Sequence, residues 1–128
     1  MSFVIPGEYE NEERFERELA IERDEARKIL MDSGLVSRVE FTNCMIPIQI
    51  HAFLPTEEMC YGRNSRVGGN VTMWVFEKEC KLAKGWPPPL FKGEQVSNAT
   101  TYIILAQEML VLIKKYLELK SEENAVAT

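Results

Sequence analysis

The stretch Ser33-Gly34-Leu35-Val36-Ser37-Arg38-Val39-Glu40-Phe41-Thr42 marks the point at which the period of the sequence changes. Before Gly34, apolar residues recur at helical spacing, whereas after it they alternate with polar residues, as in a half-buried strand. Gly34 suits the end of a helix, because glycine readily adopts the left-handed conformation that closes many helices. This stretch therefore predicts a protein that contains both helix and sheet.

The segment before Gly34 predicts an acidic amphipathic helix over residues 8–33. Its apolar residues fall within one narrow arc at about 100° per residue. They are Phe15, Leu19, Ala26, Ile29 and Leu30. Glu22 lies inside this stripe, where a carboxylate needs a partner, and we expect Arg38 or an arginine of a second copy to supply it.

Three strands are predicted after the first helix. Residues 35–42 and 46–54 alternate in hydropathy and predict a hairpin, and residues 71–81 predict a central strand because both of its faces are apolar near the middle. Residues 55–70 are predicted to form a long polar loop. Residues 85–93 contain three prolines and are expected to be an irregular connection.

A second helix is predicted from Ser97 or Asn98 to Lys120, and apolar residues surround it almost completely. The predicted fold is α+β, a single domain over residues 1–120 in the order α-β-β-β-α, with a three-stranded antiparallel sheet and both helices packed on one face. Residues 121–128 are predicted to form a flexible tail. Since one sheet and one acidic helix cover only part of such a helix, Ile104 and Val111 on its far side predict contact with a second copy.

Charge and composition restrict the function classes. The chain holds 20 Asp and Glu against 15 Lys and Arg, a net charge of -5. Residues 1–34 contain ten acidic and five basic residues and the remainder contains ten of each, so the net charge belongs to the first helix. This distribution argues against binding to duplex nucleic acid, which depends on many basic contacts to phosphate. The absence of a signal-like start or a bilayer-length apolar run argues against a membrane partner and predicts a cytoplasmic protein.

The stretch from Tyr61 to Gly69 is the strongest candidate for a ligand site. Its glycines and arginines could hold phosphate or carboxylate, and an aromatic ring could stack on a nucleotide. It lacks the Gly-Lys-Ser/Thr of a Walker A loop, and a plain flexible connection is the alternative. The predicted ligand-binding residues are Tyr61, Arg63, Arg66, Gly68, Gly69 and Trp86.

No pattern in the sequence predicts catalysis, a metal or a cofactor. His51 is the single histidine, and Cys44, Cys60 and Cys80 lack the short paired spacing of structural zinc sites. An enzyme would use a cysteine or His51, and an unusually reactive thiol, such as Cys44 or Cys60, would indicate it. The predicted order of elements resembles that of the double-stranded RNA-binding domain, but the start of the last predicted helix has no lysine cluster.

Two functions of different classes follow. The first is a non-enzymatic binding or regulatory protein that acts as a homo-oligomer, such as a homodimer, through protein–protein contacts. A basic protein partner would then dock on Glu10, Glu13 and Glu16 of the acidic helix. The alternative is a protein that binds a nucleotide or another phosphate-containing small molecule through Arg63 and Arg66.

Overall fold

The computed structural model of the protein describes residues 8–42, 48–65, 69–79, 85 and 87–126. The elements are α1 (Glu8–Asp32), β1 (Arg38–Phe41), β2 (Gln49–Phe53), β3 (Met59–Asn64), β4 (Asn70–Phe76), β5 (Phe91–Val96) and α2 (Tyr102–Val126). The strands form one antiparallel sheet in the order β1-β2-β3-β4-β5. Each strand therefore pairs with its neighbour in sequence.

The α+β class agrees with the sequence, but the prediction of a three-stranded sheet in the order α-β-β-β-α is wrong. The sheet has five strands, and the order is α-β-β-β-β-β-α. The resemblance in element order to the double-stranded RNA-binding domain is lost with this correction.

β3 lies inside the predicted loop of residues 55–70. It is a central strand whose first four residues are buried, so its two faces do not differ in hydropathy as an alternating pattern requires. Gly62, in its middle, is a residue type typical of loops. For both reasons the sequence does not predict this strand.

β5 begins at Phe91, inside the residues 85–93 that were expected to form an irregular connection, so that expectation is wrong for residues 91–93. Only its two terminal residues, Phe91 and Val96, are apolar. Because β5 and the connection after it occupy the chain up to Thr101, α2 begins at Tyr102 rather than at Ser97 or Asn98, and it runs to Val126.

Both helices pack on the same face of the sheet. α2 lies across β2 to β5, and α1 packs against α2 and β1. The residues of β4 divide between the two faces of the sheet. Val71, Met73 and Val75 join the core beneath the helices, whereas Phe76 belongs to a second apolar cluster on the opposite face. In the described ranges, neither helix has a run long and apolar enough to span a membrane.

Candidate functional site

The first half of the predicted ligand loop is part of a strand. Tyr61 and Arg63 lie on β3 and share the sheet face that is turned away from the helices. Tyr61 is 3% exposed, so its ring cannot stack on a ligand. Gly69 follows at the start of β4 with a φ of 86°, a conformation that favours glycine. Arg66, Gly68 and Trp86 lie outside the described residues.

Gly62 is required for packing rather than for binding an anion. A Cβ atom at this position would lie 2.4 Å from Met109 Sδ, on the helix α2. Glycine therefore allows the helix to approach β3 closely, and the sequence alone could not distinguish this role from that of a phosphate-binding loop.

The sheet face opposite the helices carries a row of aromatic rings with cations beside it. His51, Tyr61 and Trp74 are neighbours across β2, β3 and β4, with ring centroids 5.0 and 5.6 Å apart. The Arg63 guanidinium lies 5.0 Å from the centroid of the Trp74 ring, and Lys92 Nζ lies 5.9 Å from it. Two cations thus flank one indole ring, an arrangement that can attract an anion to this face.

Burial determines the protonation state of His51, which lies in this row. Burial lowers the pKa of His51 below its usual 6.5, and this effect exceeds the opposing influence of Glu40 and Glu79. Its Nε2 atom is buried and has no hydrogen-bond partner among the described residues. The imidazole is therefore held in its neutral form at pH 7.

A polar cluster that the sequence did not reveal lies where the β2–β3 turn meets α2. The Glu58 carboxylate accepts hydrogen bonds from the hydroxyls of Thr56 and Tyr116 and from Lys120 Nζ, the last at 3.0 Å. Burial alone would raise the pKa of Glu58, but these three hydrogen bonds and the charge of Lys120 together lower it. Glu58 is thus an ionised anchor that fastens the turn to α2.

The backbone next to this anchor is strained. Glu57 has a φ of 74°, which is uncommon for a residue other than glycine. Its N–H donates to the carbonyl of Leu54 at 2.9 Å, and Glu58 O accepts from Leu54 N at 3.0 Å. The tight turn and the anchor together hold Glu57 in this conformation.

The thiol of Cys60 is buried in the core under the helices. Burial, with a further contribution from Glu58, raises the pKa of Cys60 to about 12, so the thiol stays protonated and unreactive. Cys44 and Cys80 lie outside the described residues. Within the described ranges, no group of three or more His, Cys, Asp or Glu side chains could hold a metal ion.

Arg38 does not pair with Glu22, contrary to the prediction. Its guanidinium contacts Glu40 at 2.6 Å and Glu79 at 3.6 Å and lies 3.9 Å from the centroid of the Phe53 ring. Arg38 and Phe53 line an open cleft of about 450 Å³ at the β1 end of the sheet. The Arg38 charge is thus neutralised by Glu40 and by Glu79, and Glu79 also lines the cleft.

The described side chains in the first part of α1 are exposed to solvent. All described side chains from 13 to 18 are exposed, and Phe15 is 53% exposed, whereas Ala26 and Leu30 on the same helix face are fully buried. Glu22 and Arg23 contact Tyr102 at the start of α2, so the exposed part of α1 precedes this contact. We call residues 8–18 the acidic arm.

The acidic arm holds six glutamates and two arginines. Arg14 pairs with Glu18 at 3.2 Å, while Glu13 and Glu16 are exposed. The side chain of Glu10 lies outside the described part of the chain. The arm therefore combines an exposed aromatic ring with an excess of negative charge.

The predicted contact residues of α2 lie in different environments. Ile104 is half-buried and packs against the core, whereas Val111 is 48% exposed. α1 and the sheet together thus cover more of α2 than the sequence indicated, and the uncovered apolar surface around it is smaller than predicted.

Comparisons with protein-family profiles, with curated proteins and with solved structures found no significant match to this chain.

Proposed function

We propose that this chain is a non-enzymatic binding protein that acts as a homo-oligomer through protein–protein contacts, and that the acidic arm docks a basic partner. The observation that carries the proposal is the exposure of Phe15 on the same helix face that farther along α1 is buried in the core. The buried free thiol of Cys60 fits a reducing, cytoplasm-like compartment, in which we place this function.

The exposed side chain of Phe15 supports docking on physical grounds. Fully burying a phenylalanine side chain stabilises a complex by roughly 1.5–3 kcal/mol, and Phe15 has the larger part of this area still in water. Six glutamates against two arginines in the arm give it a net charge of 2 − 6 = −4. Two arms would repel each other, whereas a segment with an apolar face and basic flanks would match both features.

Exposed apolar side chains elsewhere support association between copies. They lie on α1, α2 and the last strand, and the charges around them are of both signs, unlike those of the acidic arm. They include Ile21, Val96, Val111 and Leu119. Such residues are ordinary when scattered singly, so the test of self-association is the mass of the protein in solution.

The docking proposal is tested with a synthetic amphipathic peptide of leucine and lysine, labelled for fluorescence anisotropy. Replacing Glu13 and Glu16 together with glutamine should weaken its binding by about tenfold at low salt, and added salt should weaken binding to the native protein. Phe15→Ser should weaken binding at all salt concentrations, because it removes the apolar contact.

The matched control is the Glu118→Gln and Glu122→Gln pair, which makes the same change of charge on exposed residues of α2. It should leave the affinity unchanged. Equal affinity for the Glu13 and Glu16 variant and for the native protein would contradict docking on the arm.

Binding of a phosphate-containing small molecule is the second candidate, supported by the two cations beside Trp74. Arg63 has no ion pair with a carboxylate in the described part of the chain, so its charge is available to a ligand. A ligand that binds the native state raises the melting temperature, so a thermal-shift screen of nucleotides and inorganic phosphate tests the idea. Arg63→Gln should abolish any shift and Lys114→Gln should not; a screen without any shift would contradict the candidate.

A further inference from the structure

β5 forms an open edge of the sheet. In the described part of the chain, no strand pairs with its outer side. The other edge strand, β1, has only four residues and lies beside α1, whereas β5 has six. Unpaired edges of this length readily accept another strand.

The hydrogen bonds of β5 show which backbone groups are free. Ser97 N donates to Gly69 O at 3.0 Å, continuing the register that pairs Val96 with Asn70. Pairs that exchange hydrogen bonds alternate along an antiparallel ladder, so the odd-numbered residues of β5 bond to β4. The N–H and C=O groups of Lys92, Glu94 and Val96 consequently point to the open edge.

We propose that β5 pairs with β5 of a second copy, antiparallel, in the register that places Gly93 opposite Gly93. The result would be a two-fold symmetric dimer with one continuous sheet. This inference rests on the homo-oligomeric part of the proposed function and names the surface that forms the oligomer.

The charges on β5 are self-complementary in this register. Lys92 lies opposite Glu94 of the second copy, and the symmetry repeats the contact. Shifting the pairing by two residues would oppose Lys92 to Lys92 or Glu94 to Glu94, which is destabilising. Shifting the pairing by one residue would place the free N–H and C=O groups of one β5 strand opposite residues of the other strand whose own backbone groups are already bonded to β4. Charge and hydrogen bonding therefore favour the same register.

The residue at the symmetry axis fits a close approach of the two strands. Gly93 would form a non-hydrogen-bonded pair, in which Cα atoms lie only about 4.5 Å apart. A Cβ on Gly93 would already lie 2.8 Å from atoms of Leu112 and Phe91 within the same copy, so any side chain here would displace these neighbours. The axis is thus free of any side chain from β5.

The same register also covers an exposed apolar residue. Val96 at the end of β5 is 93% exposed, and in the dimer it would lie beside the chain of the second copy. Each dimer would contain two such side chains. Their partial burial adds a hydrophobic contribution to the hydrogen bonds of the backbone.

Charged residues on an edge strand commonly prevent pairing. Here the two charges have opposite sign and equal distance from Gly93, and Lys92 Nζ already lies 3.8 Å from Glu94 Oε1 within one copy. They therefore disfavour the neighbouring registers and permit one. An unrelated extended peptide would not in general carry charges that match this symmetric arrangement of Lys92 and Glu94.

The test is sedimentation equilibrium of the full chain with a set of charge exchanges. The native protein should have the mass of a dimer. Lys92→Glu and Glu94→Lys should each raise the dimer dissociation constant by about tenfold or more, because attraction becomes repulsion at both symmetric contacts. The double variant Lys92→Glu/Glu94→Lys should recover the native constant, since its charges are only interchanged.

A mixture of the two single variants is the most specific part of the experiment. Two acidic positions on one chain would then face two basic positions on the other, so an equimolar mixture should form a heterodimer. Lys114→Glu, on the exposed side of α2, is the control and should keep the native mass. Circular dichroism verifies that each variant is folded.

Each result decides the inference. A monomer at tens of micromolar would overturn it together with the homo-oligomeric part of the proposed function. A native dimer that Lys92→Glu and Glu94→Lys leave unchanged, or a mixture that does not associate, would overturn the β5 surface alone. The acidic arm is separate, because replacing Glu13 and Glu16 with glutamine should weaken peptide binding without changing the mass.

Discussion

The carboxylate of Glu22 on α1 accepts a hydrogen bond from the backbone N–H of Tyr102, the first residue of α2, at 2.5 Å. The first N–H groups of a helix have no partner within the helix, and a negative charge near them is favourable. Thr101 Oγ1 accepts from Ile104 N at 3.2 Å in the same turn. Glu22 thus interrupts the apolar stripe of α1 because it caps α2.

Replacing Glu22 with alanine should lower the free energy of unfolding by about 1 kcal/mol, because the cap is lost. Glu22→Gln should cost less, since its amide oxygen can still accept the hydrogen bond. Urea denaturation measures both, with Glu25→Ala, at an exposed position of α1, as the control. Equal losses for Glu22→Ala and Glu25→Ala would contradict the capping role.

The contact between Gly62 and Met109 predicts a coupled pair of substitutions. Gly62→Ala should destabilise the protein by roughly 1–3 kcal/mol, because the new methyl group overlaps the buried Met109 side chain. In a Met109→Ala background the same change should cost much less, since the obstacle is gone. A double-mutant cycle from urea denaturation measures the coupling. Additive effects would show that the methyl group is accommodated elsewhere.

Stability should decrease as the pH falls, in two steps. The lowered pKa of His51 means that the unfolded chain binds a proton near pH 6.5 while the folded protein does not. Its contribution is complete above pH 6.5 and is lost as pH falls through the folded pKa. The lowered pKa of Glu58 acts likewise, with its contribution complete above pH 4.5 and lost below that value.

Variants separate these two steps. His51→Gln should remove the change in slope that begins near pH 6.5, and Glu58→Gln should remove the one that begins near pH 4.5. Free energies of unfolding from urea denaturation between pH 3 and 8 (roughly the range that both groups span) give the slopes. If the Glu58→Gln variant still loses stability to the same extent at acidic pH, carboxylates other than Glu58 cause that loss.

Cys60 should resist alkylation in the folded protein. A thiol with its pKa at about 12 is almost entirely protonated at pH 8, and burial blocks access to the reagent. A pulse of iodoacetamide followed by mass spectrometry of the peptide that contains Cys60 measures the reaction. We expect modification only after unfolding in urea. Rapid labelling of the native protein would reveal a local opening of the core.

The elements with a clear period were predictable from the sequence. α1 ends at Asp32, next to the predicted end at residue 33, and β4 lies almost entirely within the predicted strand of residues 71–81. The strands β3 and β5 were not predictable from the sequence, because β3 is buried on both faces and β5 has a glycine at the position that α2 approaches. In both strands, the order of apolar and polar residues reflects contacts with elements distant in sequence rather than a regular alternation along the strand.

The candidate sites were predictable to a smaller degree. The acidic character of α1 and the two arginines near the glycines are visible in the sequence, as is the exposed position of Val111. The burial of Tyr61, the position of Arg63 beside Trp74 and the Glu58 cluster depend on strand pairing, which joins residues far apart in sequence.

The sequence by itself determined the α+β class, the acidic helix and the apolar faces of the regular elements, because these follow from local period and charge. The tertiary structure alone decided that Glu22 caps α2, that Gly62 accommodates Met109 and that, among the described residues, no strand pairs with the outer side of β5. Each of these depends on which distant residue arrives at a given place. Local sequence fixes the preferences of a segment, whereas its partners are chosen by the packing of the whole chain.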